Sequence, residues 1–180
     1  MKKLLIVIDF QKDFVDGSLG FSKAEELDER IYQKIKKYQD EKQDIIFTFD
    51  THQPDYLNTQ EGRYLPIEHC LKGSPGWELY GKVGAFYKEN NNKENIKAIE
   101  KITFASLDLG VYLKDKDYQE VELVGLVSNI CVLSNAVIVK AALPETKVIV
   151  DASCTASASE DLHNKCLDVM AGIQVEVVNR

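Results

Sequence analysis

The sequence predicts an α/β fold: a three-layer α/β/α domain around a central, mostly parallel sheet. Two observations carry this. Short runs of β-branched and aliphatic residues (KLLIVID, DIIFTFD, EVELVG, KVIVD) are continuously apolar rather than alternating, the pattern of strands buried on both faces. Longer amphipathic segments separate them, and strands that alternate with helices imply parallel pairing with helices on both sides. The 180 residues suit a single domain spanning 1–180, large enough to bury most of the surface its unfolded chain exposes.

The elements follow in order. Lys3 to Asp9 reads as the first strand. Ala24 to Gln43 reads as a helix, because Leu27, Ile31, Ile35 and Tyr38 recur at three- and four-residue spacings. Asp44 to Asp50 is the second strand, and Asn90-Asn91-Asn92 a surface loop. Glu94 to Glu100 reads as a short helix. Glu120 to Gly125 is a strand, and Ile130 to Leu143 a mostly apolar helix stopped by Pro144. Its scant polar face suits burial in the domain or at a subunit contact. Lys147 to Asp151 is a strand, Glu160 to Ala171 a helix ended by Gly172, and Ile173 to Val178 the last strand.

Composition narrows the function. With 44% hydrophobic and 28% charged residues, the chain is neither disordered, collagen-like nor a disulfide framework. A net charge of −7 argues against nucleic acid or an anionic membrane as the main partner. Met1-Lys2-Lys3 leads into only five apolar residues, too few for a signal peptide. No apolar run reaches the ~18 residues of a membrane span. The four cysteines show no CxxC pairing, so a cytoplasmic chain with reduced thiols is expected.

Ligands of open parallel sheets bind beyond the carboxyl ends of the strands. Asp9, Asp50, His52 and the turn from Gly125 to Cys131 stand there. Cys131 falls at the start of a helix, just after Ser128 and Asn129, either of which could cap it. Free amides and the helix dipole at that position favour a thiolate and could hold an oxyanion. Packing of the helix on the sheet is the competing explanation for Cys131, and it is the better one for Cys70, Cys154 and Cys166. A cysteine nucleophile needs a base. The histidines near strand ends suit another task, which leaves Asp9, if burial raises its pKa; a turn role is its alternative. Lys101 could restrain Asp9 and favour the thiolate, or be a surface charge.

That other task is metal binding. In DTHQPDYLNTQEGRYLPIEHC, Asp50 and His52 at i and i+2 project to one side of a strand, and the long loop returns Glu61 and His69. Carboxylate plus imidazole suits Zn²⁺, Fe²⁺ or Mn²⁺, with Cys70 a bystander. A structural role for these histidines is the alternative.

Five segments together resemble the isochorismatase-like cysteine hydrolases, specifically the nicotinamidase/pyrazinamidase branch. They are LLIVIDFQKDFVDGSLG, the histidine-bearing loop above, EKITFASLDL, VGLVSNICVLSNA and VDASCTASASEDLH, in that order over nearly the whole chain. The resemblance implies a Rossmann-like isochorismatase-like topology and a catalytic triad of Asp9 as base, Lys101 as electrostatic partner and Cys131 as nucleophile. It implies a cis peptide between Leu126 and Val127, an oxyanion hole from the Val127 and Cys131 amides, and Asp50, His52, Glu61 and His69 as ligands of a divalent ion, zinc first, iron or manganese next. The implied reaction is hydrolysis of a small amide, nicotinamide foremost, by a homo-oligomer. Two departures stand out. Asn129 occupies a position that many nicotinamidases fill with Asp. Tyr64-Leu65-Pro66-Ile67-Glu68-His69 lacks the usual aromatic residue for ring stacking, so Leu65, Phe14 and Phe104 become the candidate substrate contacts. The rival readings are a metal-independent hydrolase of an enol ether or ureide, and a non-catalytic interaction protein of the same fold.

Overall fold

The structure, a computed structural model, describes residues 2–180. Six strands form one parallel sheet: β1 (Lys3–Ile8), β2 (Asp44–Asp50), β3 (Ile96–Lys101), β4 (Glu120–Leu126), β5 (Lys147–Ala156) and β6 (Glu176–Val178). The helices are α1 (Lys12–Val15), α2 (Ser22–Glu25), α3 (Leu27–Asp40), α4 (Gln60–Tyr64), α5 (Gly81–Asn90), α6 (Leu107–Leu113), α7 (Leu133–Ala142) and α8 (Glu160–Gly172). The α/β class and its three layers are as the apolar runs predict.

β1 shows why. Successive side chains alternate between faces, and both faces are buried: Leu4, Ile6 and Ile8 join a core with Leu109, Val139 and Leu167. Leu5 and Val7 join a second core with Ile31, Ile35 and Val83. A strand covered twice has no polar face, hence its continuous apolar run. Among the described residues no helix is long and apolar enough to cross a membrane.

The sheet order is β3-β2-β1-β4-β5-β6. The chain builds outward from β1 to β3, then returns to place β4 on the other side of β1. This reversal opens a crevice at the carboxyl ends of β1 and β4. Gly125 permits the close pairing there: its φ is +108° and a Cβ would lie 2.1 Å from the Ile8 carbonyl oxygen.

Several elements differ from expectation. Glu94 to Glu100 is not a helix; β3 occupies Ile96–Lys101. Its apolar residues Ile96 and Ile99 are three apart, which imitates a helix, because an edge strand buries only part of its length and shields its open side with charge. The helix expected from Ala24 is two, α2 and α3, with Glu26 between them. A π-helical turn, Ser128–Val132, precedes α7. β5 runs on to Ala156 because its pairing with β4 shifts register between Leu123 and Gly125. β6 is shorter than expected, and α1, α4, α5 and α6 went unforeseen.

Candidate active site

Four strand ends deliver the site. Asp9 follows β1 in a left-handed conformation (φ +43°), one that non-glycine residues hold only when their surroundings enforce it. Thr48 of β2 supplies that enforcement. Its hydroxyl donates to Asp9 Oδ1 at 2.7 Å and accepts from the Asp9 amide at 3.1 Å. Asp9 is wholly buried. Lys101, ending β3, is buried too and places Nζ 2.7 Å from Asp9 Oδ2, 3.2 Å from Asp50 Oδ1 and 3.7 Å from Cys131 Sγ. It also donates to the Thr103 carbonyl at 2.9 Å. No hydrogen bond of proper direction reaches Asp9 Oδ2 despite the nearby ammonium, so that oxygen keeps lone pairs for another proton. Asp9, Lys101 and Cys131 thus converge as the sequence suggested.

Electrostatics set their resting states. Burial pushes the Asp9 carboxyl above its ordinary range, and the ammonium of Lys101 only partly opposes it. Burial would lower the Lys101 pKa, but Asp9, Cys131 and Asp50 hold it raised, so it stays charged. The helix-start position that favours a thiolate at Cys131 is opposed by its surroundings: burial, reinforced by the Asp9 charge, pushes the thiol up against the pull of Lys101. Capping by Ser128 or Asn129 is corrected: no side chain caps this turn. The Ser128 hydroxyl meets His163 Nδ1 at 3.0 Å instead, and Asn129 Oδ1 is buried without a partner. The Leu126–Val127 peptide is cis, and the Val127 carbonyl accepts from the amides of Ile130 and Val132, both at 3.1 Å, which fixes the turn that presents Cys131.

Beside these three residues, Asp50, His52, Glu61 and His69 offer ligand atoms that all lie within 4.8 Å of one another. Asp50 Oδ2 is 3.1 Å from His52 Nε2 and 3.5 Å from His69 Nε2, and Glu61 Oε1 is 3.7 Å from His52 Nε2. His69 Nδ1 donates to the Ile67 carbonyl at 2.8 Å, which turns Nε2 toward the cluster, the usual orientation of a metal-ligating histidine. Burial would raise the Asp50 pKa, but the two histidines and Lys101 hold it below the ordinary carboxylate range. The donor set fits a divalent ion. Cys70 stays outside it; its amide donates to Asp13 Oδ2 and its carbonyl accepts from the His52 amide.

Cys131 opens on a cavity of about 340 Å³ that Phe14, Leu65 and Phe104 line together with Asp50, Glu61 and His69. All three candidate ring contacts line the cavity at Cys131, and Phe14 packs edge-on to His69 with ring centres 5.5 Å apart. The sequence reading missed Thr48 and the bridging of Asp50 between Lys101 and the histidines. It also missed Gln11, a buried amide that clamps the Asp50 backbone through both its oxygen and its nitrogen. Only Thr48 carried a signal, as a polar residue inside an apolar strand.

The isochorismatase domain, as a family model, matches residues 3–180 of this chain. The chain belongs to that family. Among isochorismatase relatives, a Bacillus subtilis protein described as an uncharacterized isochorismatase family protein, PncA, is 33% identical over 143 residues, covering 76% of this chain and 78% of its own. The crystal structure of nicotinamidase/pyrazinamidase PncA from Bacillus subtilis superposes with a TM-score of 0.90 at 27% identity, covering 98% of this chain and 99% of that one. The pyrazinamidase/nicotinamidase of Streptococcus mutans gives 0.89 at 28%, covering 98% and 100%. This member therefore shares the isochorismatase fold end to end with amidases.

Proposed function

We propose that residues 1–180 form one amidohydrolase domain that converts nicotinamide and water to nicotinate and ammonia through a thioester on Cys131. One observation carries the reading: a buried ammonium, Lys101 Nζ, lies within 3.7 Å of a buried carboxylate and a buried thiol at once. Such a grouping is costly to bury and serves packing poorly, whereas it suits nucleophilic catalysis.

Asp9, a carboxylate made more basic by burial, takes the Cys131 proton as the sulfur attacks the amide carbon. Lys101 offsets the negative charge that passes between sulfur and carboxylate. The amides of Val127 and Cys131 hold the oxyanion. Collapse breaks the C–N bond, and ammonia departs with the proton from Asp9. Water, deprotonated by Asp9, then attacks the thioester; nicotinate leaves and the sulfur recovers its proton. Phe14, Leu65 and Phe104 enclose the ring. A divalent ion held by Asp50, His52, Glu61 and His69, zinc by ligand preference with iron or manganese as alternatives, would supply a Lewis acid to polarise and orient the pyridine nitrogen.

Four buried, unpaired thiols support a reducing cytoplasmic setting. Leu107 and Val111 of α6 and Val137 of α7 leave exposed aliphatic surface, which supports a homo-oligomer, to be checked by sedimentation. The reading itself is tested by ammonia release from nicotinamide and pyrazinamide, with metal analysis of the same sample. An intact, metal-loaded protein that turns over neither amide would refute it.

A further inference from the structure

A second cavity, of about 740 Å³, lies against the first, and the two share Glu61, Leu65, Phe104 and Ile130 as walls. Its remaining surface includes Tyr56, Tyr64 and Ile102. Tyr64 and Ile102 are 86% and 81% exposed and line this one cavity together. Exposed apolar side chains gathered on one cavity mark a binding surface. Among the described residues no Lys or Arg lines this cavity, so an anionic group would shed its water there without a lysine or arginine to pair with.

We infer that this outer cavity is a second substrate subsite, and that the enzyme accepts aromatic carboxamides bearing a neutral, apolar substituent on the ring, seated against Tyr64 and Ile102. This deepens the amidase reading and rests on it. Glu61 and Leu65 border both cavities, so the ring edge that faces the histidine cluster is the edge nearest the outer one. The substituent changes no bond in the reaction: water still enters, ammonia still leaves, and the substituted acid is the second product. Binding energy from such a remote group can be used in the transition state.

The test compares nicotinamide, 6-phenylnicotinamide and 6-(4-carboxyphenyl)nicotinamide, whose substituents leave the ring beside its nitrogen, on the wild-type enzyme and on Ile102→Asp and Tyr64→Ala. The phenyl compound is expected to match or exceed nicotinamide in kcat/KM, and the carboxy compound to fall well below both. Ile102→Asp should lower kcat/KM for the phenyl compound by about tenfold, the scale set by burying one aromatic ring, and leave nicotinamide within about twofold. Calorimetry on Cys131→Ala should show the phenyl compound binding more tightly than nicotinamide. Turnover of nicotinamide with none of the phenyl compound overturns the inference and spares the amidase reading; no turnover of either overturns both. If Ile102→Asp instead splits an oligomer and alters neither kcat/KM, the patch is a contact between copies and the subsite falls.

Discussion

Thr48→Val is the sharpest probe of the mechanism, since it removes one hydroxyl at nearly constant volume from a residue that touches no substrate. In the native protein this hydroxyl donates to Asp9 Oδ1 at 2.7 Å and lowers the carboxyl's pKa against the push of burial. A hydrogen bond to a charged group is worth about 1.5–3 kcal/mol, and each pH unit corresponds to about 1.36 kcal/mol. Without it the Asp9 pKa rises by about one to two units. Asp9 works as a base, so the acid limb of kcat/KM against pH, which belongs to the Asp9–Cys131 pair, moves to higher pH by that amount. Activity should fall about 10- to 100-fold on the acid side and recover toward the wild-type plateau as pH rises. The orphaned Asp9 amide also costs about 1–3 kcal/mol of stability, readable by urea denaturation. A profile displaced downward equally at every pH would mean that Thr48 only shapes the site, and an unmoved profile would refute Asp9 as the base.

Four further outcomes follow from the same geometry. Cys131→Ala should abolish ammonia release, by about 10³-fold or more, while the thermal transition stays close to wild type. Lys101→Met leaves Asp9 and Asp50 buried without their cation, and should cost about 3–5 kcal/mol in denaturant titrations; a loss under about 1 kcal/mol would contradict its burial. His69→Ala should reduce bound metal in elemental analysis, with nicotinamide turnover falling in step. Gly125→Ala forces a Cβ onto the Ile8 carbonyl at an unfavourable φ, so its melting point should drop by several degrees, equivalent to at least about 2 kcal/mol.

Much of this was readable from sequence because doubly buried strands announce themselves and the reactive residues sit just past their ends. Asp9, Asp50 and Cys131 could be placed at one edge without coordinates. The limits have physical causes. β3 hid because an edge strand alternates its burial irregularly, and Ile96 and Ile99 fall at a helical spacing. The upward push on the Cys131 thiol was not legible because helix position is local, whereas desolvation and the Asp9 charge depend on what the fold packs around Cys131. Thr48 and Gln11 act through hydrogen bonds to residues 39 positions away, and no local pattern encodes such pairs.

Topology also explains why the cation is a lysine on β3. Asp9 and Cys131 meet because β1 and β4 are neighbours at the reversal of strand order. β3 lies two strands from β1, a span of roughly 9–10 Å at normal strand spacing, so a cation there must cross the end of β2 to reach Asp9. A four-carbon stem with a compact ammonium does this and meets three acceptors at its tip. Asp50 is the residue that stem passes, being the direct register partner of Lys101 across β2 and β3. Its two oxygens are therefore divided, Oδ1 toward the ammonium and Oδ2 toward the histidines. The same carboxylate that would hold the ion also pairs with the Lys101 ammonium. Asp50→Asn should accordingly reduce metal retention and raise the reactivity of Cys131 toward iodoacetamide in metal-free protein, because the Asp50 charge helps hold the thiol's pKa up. Loss of metal with unchanged or slower alkylation would show that loosening Lys101 outweighs the removal of that charge.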